Sequence, residues 1–194
     1  MMYEFKGLTR LTLVATVVLT LYAVFNLLAA FAGLAQGAPV GDEFRLTEGL
    51  QSVTFLAVVA CFILVGRWIY RASVNAHAIN DEITISPGWA VGWYFIPFAN
   101  LVKPFQAMRE IWQASHESDG SYEEKVPILG WWWGLWIVTN MLDYMSLRYG
   151  ELGVGPTLDI VAAALNVPLC VVLIMIMRDI DESQRYARHA VTFA

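Results

Sequence analysis

Four long apolar runs constrain the fold of this 194-residue chain more than any other feature. They cover Leu8–Leu34, Leu50–Trp68, Val126–Met145 and Leu158–Met177. Each run is close to or longer than the roughly 20 residues that a helix needs to cross a hydrocarbon core about 30 Å thick. The charged residues inside the runs stand near the ends of the predicted helices, at Arg10, Arg67, Asp143 and Asp159. We therefore expect an integral membrane protein.

The composition agrees with this expectation. Hydrophobic residues make up 58% of the chain and charged residues 15%, whereas a soluble domain carries roughly 25% charged residues. We predict an all-α fold in which residues 1–194 form a single membrane domain, an integral membrane four-helix bundle. The predicted spans are about 8–34, 50–70, 126–146 and 157–178, and residues 71–125 are predicted to form a cytoplasmic helical segment.

The basic residues predict the orientation of these spans. Ten of the twelve Lys and Arg residues lie on the side that holds both termini and the central segment, and only Arg45 and Arg148 lie on the other side. Because cytoplasmic loops are enriched in Lys and Arg, both termini are expected in the cytoplasm.

The stretch from Ile83 to Ser115 is the unusual part of the chain. Ser86 followed by Pro87 is typical of a helix start, but the apolar piece that follows is too short to span, because Pro97 interrupts it. Pro104 then starts a second, amphipathic helix. The segment is predicted to be either interfacial or re-entrant. A fifth span is the alternative, but it would move three C-terminal arginines outside and weaken the charge asymmetry.

Motifs in and before this stretch resemble a known family. They read Arg67-Trp68-Ile69-Tyr70-Arg71-Ala72-x-x-Asn75, then Ser86-Pro87-Gly88-Trp89 through Trp93 to Pro97-x-x-Asn100-x-x-x-Pro104, then Arg109-Glu110-Ile111-Trp112. The pattern resembles the bacterial family called domain of unknown function 4328. The resemblance implies a small bacterial multi-pass membrane domain, and hence the inner membrane of a bacterial cell, but it implies no activity.

Two interpretations of these motif residues remain open. In the first, a broken re-entrant element binds a ligand through amides such as Asn75 and Asn100. In the second, Asn100 caps the turn between two helices and the tryptophans lie at the membrane interface. Glu110 is expected to form an ion pair with Arg71 or Arg109. The motif residues are Arg67, Trp68, Arg71, Asn75, Pro87, Trp89, Trp93, Pro97, Asn100, Pro104, Glu110 and Trp112.

Polar residues within the spans suggest a candidate pocket in the outer half of the membrane. Its members are Asn26, Gln51, Asn140, Asp143, Asp159 and Asn166. Their spacing within each helix puts them on one helix face, and membrane helices pack through small and polar faces. The two acids are predicted to share a proton, pair with Arg148 or bind a cation. The alternative is that both lie at the water interface, where they carry no function.

Cofactor sites are not expected. No predicted span carries a histidine, and no spacing typical of metal ligands occurs. Cys61 and Cys170 lie inside spans, where small buried apolar residues are the simplest interpretation. Without a basic tract, no nucleic-acid partner is expected. Membrane lipids are the expected partners, together with a second copy of the chain or a protein at the cytoplasmic face.

Three function classes remain open. The first is a non-enzymatic interaction, assembly or envelope-sensing module, favoured because no catalytic motif is visible. The second is a small oligomeric transporter or channel, for which a cavity reaching from Asn26 and Asp143 towards Pro97 would be the evidence. The third is a membrane-embedded lipid-modifying enzyme, which requires an acid–base pair in a lipid-accessible groove.

Overall fold

The computed structural model describes residues 4–35, 42–116 and 122–193. Over these ranges the protein is helical and contains no strand, so the all-α prediction is confirmed. The α-helices are α1 Thr9–Ala35, α2 Asp42–Ile79, α3 Pro87–Gly92, α4 Lys103–His116, α5 Tyr122–Tyr149 and α6 Gly155–Phe193. Short 3₁₀ helices cover Trp93–Phe95, Ala99–Leu101 and Gly150–Leu152.

Three helices of the described chain are long and apolar enough to cross a membrane. Their apolar stretches are Thr9–Gly33 in α1, Glu48–Ile79 in α2 and Gly155–Arg188 in α6. Helix α5 carries the remaining predicted span and is 28 residues long. Its apolar run is interrupted by the polar Asn140 and by Asp143, and it is not among the three helices named above. Its crossing of the membrane therefore stays a prediction.

The four long helices pack side by side in the order α2–α1–α6–α5. Small residues such as Ala15, Ala23, Ala162 and Ala163 are buried, which allows close approach of helix backbones in a membrane protein. The outward faces are apolar and exposed, with Phe55, Leu56 and Phe62 on α2 each at least 60% exposed. This pattern is the one expected where lipid rather than water surrounds the helices.

Helix α4 packs against α2, α5 and α6 at one end of the bundle. Its buried side carries Ala107, Met108, Ile111 and Trp112, while the opposite side remains polar. Because α4 contacts three of the four long helices, it fixes their relative positions at that end.

The predicted break between α3 and α4 is confirmed. Pro97 and Pro104 flank two 3₁₀ turns rather than a continuous helix. The Ala99 N–H donates to the Pro97 carbonyl at 2.8 Å, and Phe98 between them has φ +64°. This three-residue γ-turn is rare and strained for a bulky residue. Phe98 is 87% exposed, so the turn presents an aromatic ring outward.

Prolines also lie inside two of the long helices, Pro127 in α5 and Pro168 in α6. A proline in a helix interior has no N–H to donate and crowds the preceding turn. Pro168 therefore removes one main-chain hydrogen bond in the middle of α6.

Candidate functional site

A cavity of about 250 Å³ lies between the four long helices. Each of the four contributes side chains to its walls, and residues of α3 and of the first 3₁₀ helix close one end. The lining residues used below are Tyr22 of α1, Cys61 and Phe62 of α2, Val91, Tyr94 and Phe95 of the closing segment, Trp132, Trp136, Thr139, Asn140 and Asp143 of α5, and Asn166, Cys170 and Leu173 of α6.

The cavity is partly open to the surroundings. Its exposed lining residues are Phe62 at 60% and Phe95 at 77%, together with Asn140 and Asp143. Phe62 belongs to α2 and Asn140 to α5, the two helices at the ends of the packing order. The opening therefore lies between α2 and α5. We call residues 87–101 the closing segment, because they bridge these two helices at one end of the cavity.

The structure brings three of the six polar pocket candidates together. Asn140, Asp143 and Asn166 line the cavity. Asn26, Gln51 and Asp159 do not line the cavity. Gln51 and Asp159 are exposed, and Asn26 is half-buried. The side-chain oxygen of Asn26 is buried and has no partner in the described chain. Whether the three lining residues form a functional pocket stays a prediction.

Hydrogen bonding leaves acceptor groups facing the cavity. The Thr139 hydroxyl donates to the Leu135 and Trp136 carbonyls at 3.0 and 3.1 Å, and the Asn140 amide donates to the Trp136 carbonyl at 2.7 Å. Their oxygens keep free lone pairs. Asn166 is 5% exposed, and its amide makes no hydrogen bond within the described ranges.

Aromatic rings form the opposite end of the cavity. Tyr94 makes edge-to-face contacts with Trp133 and Trp136, with ring centroids 6.5 and 6.1 Å apart. Trp133 and Trp136 stack at 4.6 Å, and the Trp133 indole N–H donates to the Leu101 carbonyl at 2.9 Å. Burial raises the pKa of the Tyr94 phenol, so it stays protonated at neutral pH. These contacts hold the closing segment against α5.

The motif residue Asn75 belongs to a polar network at the end of the bundle that α4 covers. The Lys6 main-chain N–H donates to Asn75 Oδ1, and Asn75 Nδ2 donates to the Lys6 carbonyl and to Gln184 Oε1, each at 2.9 Å. Gln184 Nε2 donates to the Ala72 carbonyl and to Ser115 Oγ, each at 3.0 Å. We call Lys6, Asn75, Ser115 and Gln184 the polar network. It joins the N-terminal segment, α2, α4 and α6.

Two neighbouring motif residues extend the attachment of α2 to the N-terminal part of the chain. The Trp68 indole N–H donates to Thr12 Oγ1 at 2.9 Å, and Trp68 is fully buried. Arg71 donates to the Gly7 carbonyl at 3.2 Å. These residues therefore act as helix-to-helix contacts in the fold, which is a structural role.

The expected ion pair of Glu110 with Arg71 or Arg109 is wrong. The Glu110 carboxylate accepts hydrogen bonds from the main-chain N–H groups of Thr84 and Ile85, at 3.1 and 3.0 Å, and from the Thr84 hydroxyl. These donors have no helical or strand partner, so a carboxylate can satisfy them. Glu110 thus ties the connection before α3 to α4.

The remaining motif residues shape the closing segment and its surroundings. Pro87 and Pro104 lie in the first turns of α3 and α4, where a missing N–H costs nothing. Trp89 stacks on Trp93 with centroids 4.6 Å apart, and Lys103 Nζ lies 5.9 Å from the Trp93 ring. Arg67 and Pro97 are exposed. Asn100 is half-buried, and its main-chain N–H donates to the Ile96 carbonyl. Trp112 is buried and stacks on His116.

Several cavity residues were not among the predicted site residues. Tyr22, Cys61, Trp132 and Cys170 all line the cavity. The cysteines were interpreted only as small buried residues, and both are indeed buried free thiols. Cys61 lies seven residues after Thr54, and Cys170 lies four residues after Asn166. This spacing is the available signal in the sequence, but it does not show that the two thiols face a cavity. Within the described ranges no group of three or more His, Cys, Asp or Glu residues is placed to hold a metal ion.

Comparison with known proteins gives one match. No curated protein and no solved structure matches the chain. A family model described as Domain of unknown function (DUF4328) matches residues 35–182. The match covers α2 to most of α6, including the closing segment, Asn75 and Glu110, and it extends over more than half of the chain. The protein therefore belongs to the DUF4328 family.

Proposed function

We propose that the protein is a non-enzymatic interaction and envelope-sensing module that binds an apolar, lipid-like ligand in the cavity between its long helices. The observation that carries this proposal is the partly open cavity of about 250 Å³ with predominantly apolar walls. A dry apolar cavity of about 150 Å³ is already large enough to bind benzene. This cavity is large enough for part of a hydrocarbon chain.

The side of the opening supports a membrane-derived ligand. Phe62 and Phe95 at the opening are exposed and apolar, and Phe62 lies within the apolar stretch of α2. A ligand entering between α2 and α5 would come from the hydrocarbon layer rather than from water. Lipids are therefore the natural source of ligands.

The closing segment connects the cavity to the surface that this segment forms together with α4. Val91, Tyr94 and Phe95 line the cavity, and the same segment is held by Trp133. The connection just before it is held by Glu110 of α4. A ligand that displaces these side chains alters the surface formed by the closing segment and α4. We propose that this surface meets a protein partner or a second copy of the chain.

Selective photolabelling tests the proposal. The protein is placed in phosphatidylcholine nanodiscs that contain a neutral fatty alcohol with a diazirine in its chain. After irradiation, adducts are mapped by mass spectrometry. We expect adducts on the cavity residues Leu169, Cys170 and Leu173, which are at most 8% exposed, and we expect excess unlabelled fatty alcohol to suppress them.

A matched pair of variants controls this experiment. Leu173→Trp fills the cavity and is expected to lower these adducts at least about fivefold, because a ligand of this size depends on the open volume. Val171→Trp changes the same helix at a position that is 51% exposed and should leave them unchanged. Equal labelling of the wild type and Leu173→Trp would show that the cavity holds no ligand.

A small oligomeric transporter or channel is the second candidate. The cavity runs from Asn140 and Asp143 to Phe95, two residues before Pro97. This is the kind of path that substrate sites near broken helices occupy in transporters. Ligand flux into proteoliposomes, lost in Leu173→Trp and kept in Val171→Trp, would favour this candidate over a sensing module.

Orientation is part of the proposal. The ten-to-two division of basic residues supports a bacterial inner-membrane protein with four spans and both termini in the cytoplasm. Single cysteines on a Cys61→Ala, Cys170→Ala background test this. Position 42 should react with an impermeant maleimide added outside, and positions 120 and 190 only after permeabilisation. External labelling at position 190 would contradict the four-span orientation and support five spans.

A further inference from the structure

The cavity has a polar end and an aromatic end. Along α5, Asp143, Asn140, Thr139, Trp136 and Trp132 follow one another at spacings of three, one, three and four residues, so they share one helix face. Trp132 and Asp143 are roughly 16 Å apart along the helix axis, at 1.5 Å per residue. The carboxylate and the amides lie at one end, and the indole rings lie at the other.

The polar end offers several hydrogen-bond acceptors. The Thr139 hydroxyl hydrogen and one of the two Asn140 side-chain N–H groups are used on carbonyls of their own helix, which leaves the oxygens of both side chains available. Asp143 forms no ion pair within the described part of the chain. The region therefore favours a ligand group that is positively charged and can donate hydrogen bonds.

Asn166 supplies an independent observation. Its side chain is 5% exposed, lines the cavity and makes no hydrogen bond within the described ranges. The amide faces the cavity from the side of α6, so its N–H groups and its oxygen are available to a group bound there. A ligand head group at this end would satisfy it.

Aromatic side chains complete the ligand description. Tyr22, Tyr94, Trp132 and Trp136 line the cavity. Faces of aromatic rings pack well against apolar groups, so this end of the cavity suits the hydrocarbon part of a ligand.

We propose that the cavity binds an amphiphilic organic cation, with its ammonium group at Asp143, Asn140 and Asn166 and its apolar body against Trp132 and Trp136. This inference rests on the proposed function, because it names the ligand class of the same cavity. The carboxylate makes the site selective for positive charge, and the aromatic walls accept the hydrocarbon part.

A charge-matched set of probes tests the proposal. Octylammonium, octanol and octyl sulfate share one chain and differ in head-group charge. Binding to the protein in phosphatidylcholine nanodiscs is measured as a saturable change in tryptophan fluorescence, corrected with empty nanodiscs. We expect the cation to bind at least about tenfold more tightly than octanol, and octyl sulfate to bind most weakly.

Three variants separate the two proposals. Asp143→Asn should weaken cation binding at least about tenfold and leave octanol binding unchanged, since only the charged contact is lost. Asp159→Asn, which removes a carboxylate that does not line the cavity, should weaken cation binding by less than about threefold, because screened charges at a distance contribute little. Leu173→Trp should abolish binding of both probes.

The outcomes are distinct. Octanol binding that Leu173→Trp abolishes, without a preference for the cation or without an effect of Asp143→Asn, would overturn the assignment of the ligand class and leave the proposed function intact. Absence of saturable binding by every probe, or binding that is unaffected by Leu173→Trp, would overturn both.

Discussion

Replacing Asn75 with leucine is expected to lower the free energy of unfolding by about 2–4 kcal/mol. Asn75 is fully buried and makes three hydrogen bonds at 2.9 Å. Leucine has a similar volume but no polar group. The substitution therefore leaves the partly buried Lys6 N–H and carbonyl and the buried Gln184 Oε1 without their partner, and the loss is largest at the buried amide oxygen.

Ser73→Ala is the matched control for Asn75→Leu. Ser73 lies two residues away on α2 and is 1% exposed, but its hydroxyl has no partner among the described residues. Removing an unpartnered hydroxyl should change stability by less than about 0.5 kcal/mol or increase it slightly. Denaturation in detergent, followed by circular dichroism, measures both variants. A loss in Asn75→Leu no larger than that in Ser73→Ala would show that the polar network does not stabilise the fold.

Trp68→Ala is expected to cost about 3–5 kcal/mol, the range for removal of a large buried aromatic side chain. Trp68 is 0% exposed and bonds Thr12 of α1. Alanine leaves a cavity between α1 and α2, and it also removes the indole donor. The expected result is a large decrease in the midpoint of denaturation in the same assay.

Trp131→Ala and Trp68→Phe provide the comparison. Trp131 is 70% exposed, so its removal should cost less than about 1 kcal/mol. Trp68→Phe keeps most of the ring but not the hydrogen bond and should lie between the two, at about 1–2 kcal/mol. Equal losses for Trp68→Ala and Trp131→Ala would mean that burial does not determine the contribution of these tryptophans.

The sequence predicts the helices well because the residues that determine where a helix begins and ends are neighbours in the chain. The apolar runs determine where long helices form, and Pro97 and Pro104 determine where the closing segment cannot be helical. Both features depend on residues adjacent in the chain. The continuation of α2 to Ile79 and of α6 beyond Met177 also agrees with the mixed-charge sequence that follows each apolar run.

Contacts between distant residues could not be predicted in the same way. Gln184 lies 109 residues after Asn75 in the chain. The Asn75 side chain bonds the main chain of Lys6, and a main-chain partner leaves no pattern in the sequence. Glu110 was assigned to arginines because charge suggests ion pairs, whereas main-chain donors of Thr84 and Ile85 are closer in the fold.

The sequence also predicts only part of the lining of the candidate cavity. Spacing correctly places Asn140 and Asp143 on one face of α5, and the structure puts Asn166 of α6 beside the same space. The rotation of each helix about its own axis decides whether a polar face meets another helix, lipid or water. Spacing alone does not determine that rotation, and for this reason Gln51 and Asp159 were grouped with residues that they do not meet in the cavity.

Helix α6 gives the protein a mechanical property. Its 39 residues extend for about 58 Å at 1.5 Å per residue, roughly twice the hydrocarbon thickness of a bilayer. Asn166 beside the cavity and Gln184 in the polar network lie about 27 Å apart on this one rod. Pro168, two residues after Asn166, removes one main-chain hydrogen bond at that point. The cavity and the polar network are therefore joined by a single helix whose main-chain hydrogen bonding is weakest beside the cavity.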